Sequence, residues 1–497
     1  MKLGNNMRIP HISNKSAQKG NWCHNEYFAI LYLLCIFLLV IFLNISTATA
    51  QQSFIPLPID ITWQNGALNI SSGIHIKRDS PELENEYREA DAIVSKLNLT
   101  IKNSANKSKI PTLTLRISNN NETYEQPESY RLSVNRDGII ITAGDKSGIF
   151  YGLQTLKQFH IKDNKIPFCR IDDKPAFAWR AFLIDVGRNY QPVEMIKKQI
   201  DAMAAYKLNV LHFTEDIAWR LTSKTYPNIT DAHYMTRWKG KYYTEQEFKS
   251  LIDYCRERHI TFLPEIDMPG HSKAFNRFFG VDMQTDSGIV YIKKLLKEFS
   301  ETYPDLPFLH IGGDEVKITN KNFMPEITSY VESLGYKTIG WDPGSNLSER
   351  TIRQLWMGGP TPIKQEGHLQ YIDSKHLYIN HMDPLEAVTT LFHRRIGGQH
   401  NGHANLLGGT LCSWPDRAIL KAEDMFYQNA IYPSILTFAE RIWRGGGEFN
   451  WICNIMPTNT AGYQEFKEFE TRLLVHKEKY FKNEPFPYTK QTDLSWD

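Results

Sequence analysis

Phe308-Leu309-His310-Ile311-Gly312-Gly313-Asp314-Glu315 ends a short apolar run in two adjacent carboxylates, with two glycines between. The run reads as a buried strand. On a regular strand, neighbouring side chains point to opposite faces. The glycines free the backbone to bend, so that Asp314 and Glu315 can serve one pocket. A bare Asp-Glu pair after a strand is ordinarily a solvated acidic loop, so the surroundings must decide its meaning.

The same unit recurs along the chain. Apolar strand candidates lie at 182–186, 209–214, 261–266, 308–311, 338–341, 352–356, 377–380 and 406–414. The clearest helices fall between the first three. Ile196, Ile200, Met203 and Ala204 form one apolar stripe, and Phe248, Leu251, Ile252 and Cys255 form another. Eight strands, mostly alternating with helices, predict an α/β fold of the (β/α)8 TIM-barrel type over residues 174–450. No Gly-x-Gly-x-x-Gly opens a helix after a strand, which argues against a doubly wound sheet. Polar or aromatic residues cap every strand: Asp185 and Arg188, Glu215 and Asp216, Glu265 and Asp267, Asp314 and Glu315. Trp341 and Asp342, Trp356, Tyr378 and Asn380, and Trp414 and Asp416 complete the set. Barrel enzymes build their sites at this face, so the series predicts a functional pocket.

Residues 51–173 have a different texture. Short alternating runs at 113–117, 130–134 and 138–142, with helical spacing at 82–97 and 148–159, predict a small α+β accessory domain. A charged helical segment, 451–497, is expected to pack on the barrel's outside. Residues 1–50 read as an export signal. Arg8, Lys15 and Lys19 precede an apolar stretch at 27–45, and Ala48-Thr49-Ala50 gives a small-x-small cleavage pattern. An uncleaved anchor is the alternative, because about 19 apolar residues can span a bilayer. The expected location is periplasmic or extracellular, with the membrane touched only through this segment.

Among the 497 residues, Lys plus Arg number 57 against 55 for Asp plus Glu, a net charge of +2. With no basic stripe, a nucleic-acid partner is not expected. Cys169, Cys255, Cys412 and Cys453 follow the signal, none at metal-ligand spacing, so neither metal nor cofactor is expected. Buried thiols are the favoured state for most of them. Asn-x-Ser/Thr sites stand at Asn69, Asn98, Asn106, Asn121, Asn228 and Asn346.

Several motifs together resemble glycoside hydrolase family 20, the β-N-acetylhexosaminidases. They are Asp185-Val-Gly-Arg188-Asn-Tyr-Gln-Pro-Val, Ala204-Ala-Tyr-Lys-Leu-Asn-Val-Leu-His212, Pro264-Glu-Ile-Asp-Met-Pro-Gly-His271, His310-Ile-Gly-Gly-Asp-Glu315 and Leu407-Gly-Gly with Trp414. Gly148-Ile-Phe-Tyr-Gly-Leu-Gln-Thr-Leu156 resembles the accessory domain that precedes such barrels. The resemblance implies a retaining, exo-acting enzyme on terminal GlcNAc or GalNAc of a glycan or oligosaccharide. The substrate's own acetamido oxygen would be the nucleophile, an exception to the two-carboxylate scheme. Glu315 would be the general acid, its pKa raised by apolar walls. Asp314 would orient the acetamido group and stabilise its positive charge.

By the same resemblance, Arg188 would bond sugar hydroxyls, and Glu215 would pair with His271 to orient Glu315. Trp341, Trp356 and Trp414 would wall the sugar, Tyr378 would donate to the acetamido carbonyl, and Asp416 would hold hydroxyls. Three positions depart from the family's common pattern. Leu211-His212-Phe213 runs straight into Thr214-Glu215-Asp216, two residues shorter than Leu-His-x-His-Leu-Thr-Asp-Asp; Asn380 stands for Asp, and Asp416 for Glu. The shortened strand motivates a rival reading, a glycan-binding barrel without turnover. A second rival is a conventional β-glycosidase in which Glu265 or Asp267 partners Glu315.

Overall fold

In a computed structural model of the chain, the described residues are 52–97, 99, 110–118, 126–215, 217–380 and 382–492. The export-signal expectation, Asp216 and the sequons at Asn98, Asn106 and Asn121 lie outside them. Among the described residues, no helix is long and apolar enough to cross a membrane.

The front of the chain forms a six-stranded mixed sheet in the order β1-β6-β4-β5-β3-β2. Its strands are β1 (Asp60–Asn69), β2 (His75–Arg78), β3 (Thr112–Ile117), β4 (Tyr130–Asn135), β5 (Gly138–Ala143) and β6 (Lys165–Asp173). Alternate residues of β4 are buried, as a half-covered strand requires. Helices Glu84–Lys96 and Lys146–Gln158 pack with this sheet. The second helix starts where the Asp145 side chain accepts the Gly148 N–H. Gly148 must be glycine, because a Cβ there would lie 2.4 Å from the Ser129 carbonyl oxygen.

Eight parallel strands then close a barrel in sequential order. They are β7 (Trp179–Asp185), β8 (Val210–Thr214), β9 (Thr261–Glu265), β10 (Phe308–His310), β11 (Lys337–Asp342), β12 (Ile352–Leu355), β13 (Tyr371–Asp373) and β14 (Leu406–Ser413). Every residue of β7 and β8 is buried, since helices cover the outside and side chains fill the inside. The interior is layered. Trp179, Ala181, Val210, Leu263, Ile339, Ile352 and Ile372 make one apolar cluster. Leu183, Trp341, Cys412 and Trp414 make the next, two residues further along β7 and β11.

The seventh strand differs from expectation. It is Tyr371–Asp373, and 377–380 is a continuation that pairs with β14 only through Tyr378 and Cys412. Between them the chain turns, Leu377 N–H donating to the Ser374 carbonyl with His376 left-handed. Asp373 causes the detour: its buried carboxylate accepts Arg394 Nη2 at 2.8 Å and the Lys375 and Gly397 N–H groups.

A helix over Ala461–Tyr480 follows the barrel. Its Arg472 donates to the buried Glu440 carboxylate and to the Phe54 carbonyl, tying both ends of the described chain to the barrel. Cys169, Cys255 and Cys412 are buried free thiols, and Cys453 is half-buried.

Candidate active site

The carboxylate pair follows β10 in a loop that only its glycines permit. Gly312, Gly313 and Glu315 all have positive φ, at 64°, 104° and 55°. A Cβ on Gly312 would lie 1.7 Å from Asp267 Oδ1, so another residue there would displace the neighbouring loop. The bend places Asp314 and Glu315 on the wall of one cavity of about 200 Å³. Asp314 is buried, whereas the Glu315 side chain is 51% exposed. The apolar walls expected around Glu315 are therefore not in place; it stands at the pocket mouth.

His271 reaches Glu315, with Nε2 3.4 Å from Oε2. Its other nitrogen, Nδ1, donates to Asp267 Oδ2 at 2.7 Å. Asp267 Oδ1 accepts the Gly313 N–H at 3.1 Å, so one carboxylate braces both His271 and the catalytic loop. With its Nδ1–H directed at Asp267, His271 turns an Nε2 lone pair toward Glu315 and toward Arg188 Nη2, the latter 3.5 Å away.

This corrects the expected Glu215–His271 link. Glu215 turns aside: its Oε2 accepts the Arg220 N–H at 2.7 Å, and Ile217 is left-handed just beyond. Asp267, four residues before His271 in the loop after β9, takes the His271 Nδ1 instead. Glu215 lines an adjoining cavity of about 30 Å³ that Asp267 and His271 also line. Burial pushes its carboxyl up to about 8, so it is neutral at neutral pH.

The remaining predicted residues converge on the main cavity. Arg188 Nη1 donates to Asp185 Oδ2 at 2.7 Å, and its Nε lies 3.4 Å from Asp416 Oδ1. Its guanidinium stacks over Trp414 at 5.1 Å. Asn380 links two neighbours, accepting the Trp414 N–H through Oδ1 and donating to Asp416 Oδ2 at 3.3 Å. Trp341, Trp414 and Tyr378 form an aromatic row with ring centres 6.0 and 6.1 Å apart. Trp356 is fixed by its indole N–H, which donates to the Pro343 carbonyl at 2.7 Å. Burial, then the Cys412 thiol and the Asp314 carboxylate, push the Tyr378 hydroxyl well above the usual phenol range. It remains a donor at any working pH.

Sequence reasoning named Asp267 and Asp185 at strand ends without their bracing roles. It named Glu265 only as a strand end and a rival partner to Glu315, and passed over the buried layer that Glu265 makes with His212 and His310 just below the cavity. The available signal was strand period: Val210, Leu263 and Phe308 face inward, so His212, Glu265 and His310 do too. Their potential ligand atoms lie within 4.8 Å of one another. Glu265 Oε1 already accepts the Trp341 indole N–H at 2.7 Å, and His310 Nδ1 lies 3.0 Å from the same oxygen. Glu265 Oε2, His310 Nε2 and both His212 nitrogens have no hydrogen-bond partner among the described residues.

Comparison with known proteins agrees with the fold. Residues 177–280 match the family model described as "Glycosyl hydrolase family 20, catalytic domain", and 51–174 match "Glycosyl hydrolase family 20, domain 2". A beta-hexosaminidase of Porphyromonas gingivalis is 30% identical over 398 residues, covering 64% of this chain and 51% of that protein. The chain thus spans about half the length of that relative. Beta-hexosaminidase 3 of Arabidopsis thaliana is 26% identical over 405 residues, covering 69% of this chain and 72% of the other. The crystal structure of a beta-N-acetylhexosaminidase from Bacteroides fragilis superposes with a TM-score of 0.68 at 23% identity. That match covers 88% of this chain and 96% of that one, a likeness of fold.

Proposed function

The chain belongs to glycosyl hydrolase family 20, and we propose that it is an exo-acting, retaining β-N-acetylhexosaminidase. Its substrates are terminal, non-reducing GlcNAc or GalNAc units of glycans or chitooligosaccharides. One observation carries this reading: two consecutive carboxylates with different surroundings, one buried and one half-exposed beside His271, line a single aromatic cavity.

Glu315 holds the proton that goes to the glycosidic oxygen. Its exposure at the mouth suits a group that must meet the leaving group, and the bound sugar itself supplies the missing apolar cover. The acetamido oxygen attacks the anomeric carbon as the bond to the leaving group breaks, forming a cyclic oxazolinium ion. Buried Asp314 orients the acetamido N–H and balances the new positive charge, while Tyr378 donates to the acetamido oxygen and holds it in line. Water then adds to the anomeric carbon, its proton passes to Glu315, and retention follows. Trp341, Trp356 and Trp414 enclose the sugar. Arg188 and Asp416, tied to each other at the rim, take the hydroxyls at the closed end. The scheme uses no metal or cofactor.

The rivals have less support. Glu265 is committed to Trp341, and Asp267 to His271 and Gly313, so neither is placed as a nucleophile. The shortened second strand suggested a barrel that lost its acid support, but Asp267 supplies that support from the third strand. The proposed location is periplasmic or extracellular, with residues 1–50 as the signal; mature protein recovered from the cytoplasm with those residues intact would refute it. A thiazoline analogue of the oxazolinium ion tests the chemistry. It should compete with substrate and bind at least about a hundredfold tighter than GlcNAc; binding no tighter than GlcNAc would refute substrate assistance.

A further inference from the structure

Beneath the pocket floor lies a charged layer that this chemistry does not use. β8, β9, β10 and β11 send His212, Glu265, His310 and Trp341 into the barrel at one level, each no more than 3% exposed. The Trp341 indole N–H donates to Glu265 Oε1. The other oxygen, Oε2, lies 3.0 Å from His212 Nε2, and His310 Nδ1 lies 3.0 Å from Oε1. The His212 ring stacks along the indole at 5.9 Å and 23°, and His310 meets it edge-on at 4.8 Å.

A carboxylate this deep is costly unless its charge does something. Burial drives His212 down to about 4, so the ring stacked on Trp341 is neutral. Burial opposes ionisation of Glu265, but His310 outweighs it, helped by the polar contact with neutral His212, and the carboxyl stays well below the ordinary range. Its charge also reaches the pocket, being among the groups that act on the Tyr378 hydroxyl. Trp341 is the physical link, since one edge binds Glu265 and its body lines the cavity beside Asp314 and Tyr378. An indole whose N–H is given to a carboxylate carries more electron density on its ring face, and that face attracts cations.

We propose that Glu265 is a positioning residue that acts through Trp341, fixing and enriching the indole so that the wall binds the cation formed in the reaction better than the neutral sugar. The inference rests on the β-N-acetylhexosaminidase reading. It assigns the buried layer to charge selection at the acetamido end of the pocket.

Glu265→Gln, Trp341→Phe and the double variant test it. Two ligands are compared by calorimetry: GlcNAc, and a cationic iminosugar that carries the 2-acetamido group. Glu265→Gln should weaken the cation about tenfold and change GlcNAc by less than about twofold, with kcat falling as the cation affinity does and KM nearly constant. Trp341→Phe keeps an aromatic ring but has no N–H, and should lose the same discrimination. The double variant should discriminate no worse than either single one. Equal weakening of both ligands, or losses that add in the double variant, would overturn the proposal. If Glu265→Gln does not fold, an unchanged cation preference in Trp341→Phe overturns it by itself. The calorimetry needs no turnover. A wild-type chain that hydrolyses nothing would therefore count against the enzymatic reading alone.

Discussion

Two regions of this molecule concentrate charge, and they are built in opposite ways. Where the front sheet meets the barrel, Lys207 and Asp173 are fully buried and 2.9 Å apart. Lys207 also donates to the Tyr130 hydroxyl, and Asp173 accepts the Trp443 indole N–H. Arg180 beside them gives its protons to Glu128 and to the Lys207 and Phe177 carbonyls. Strand-end charges in the pocket are looser. Glu315 and Asp416 are about half exposed, and their contacts to His271 and Arg188 are 3.4 Å long. The contrast separates two uses of charge. A saturated, dry network fixes the two layers together, whereas incompletely paired groups at an open face keep capacity for a ligand.

The sharpest break between the regions comes from Glu315→Gln. Release of GlcNAc from a substrate with a poor leaving group should fall about a thousandfold, while stability stays within about 0.5 kcal/mol because the side chain is half exposed. A thermal melt beside a rate assay checks both halves. Lys207→Met should do the reverse. It leaves Asp173 charged and buried, costing about 3–5 kcal/mol in urea unfolding, with kcat of the folded fraction unchanged.

A smaller effect sharpens the boundary. Glu215 adjoins the site, yet its carboxyl is buried like a structural one and raised to about 8 from 4.5. Between those values the folded chain keeps a proton that the unfolded chain releases, so this group's contribution falls as pH rises. Its share is intact below about pH 4.5, and the loss is complete above about pH 8, at ~1.4 kcal/mol per pH unit in between. Glu215→Gln carries no such titration. Its stability relative to wild type should therefore rise from pH 5 to pH 8, and a pH-independent difference would show that Glu215 is solvated.

The same contrast explains what could be read from the sequence. Local backbone chemistry was legible: Gly312-Gly313 before Asp314-Glu315 announced a bend, and the bend is there. Strand periodicity gave the barrel, because inward and outward positions alternate, and the motifs of the family resemblance named eleven pocket residues, ten of which line one cavity. The course of loops was not legible. Glu215 lost its place to Asp267 because a left-handed Ile217 redirects one loop, and its conformation depends on packing around Arg220. The seventh strand was misplaced because Tyr371-Ile372-Asp373 offers only a three-residue run, and its detour depends on Arg394, 21 residues onward. The expected burial of Glu315 failed for another reason: the left-handed turn beyond the strand carries its side chain to the pocket mouth, 51% exposed.

The most direct measurement is turnover of paired aryl β-glycosides by the purified chain, identical except at the 2-position. The account predicts hydrolysis of the 2-acetamido gluco- or galacto-configured substrate and essentially none of its 2-hydroxy counterpart, since only the former brings its own nucleophile. Comparable turnover of both would contradict it.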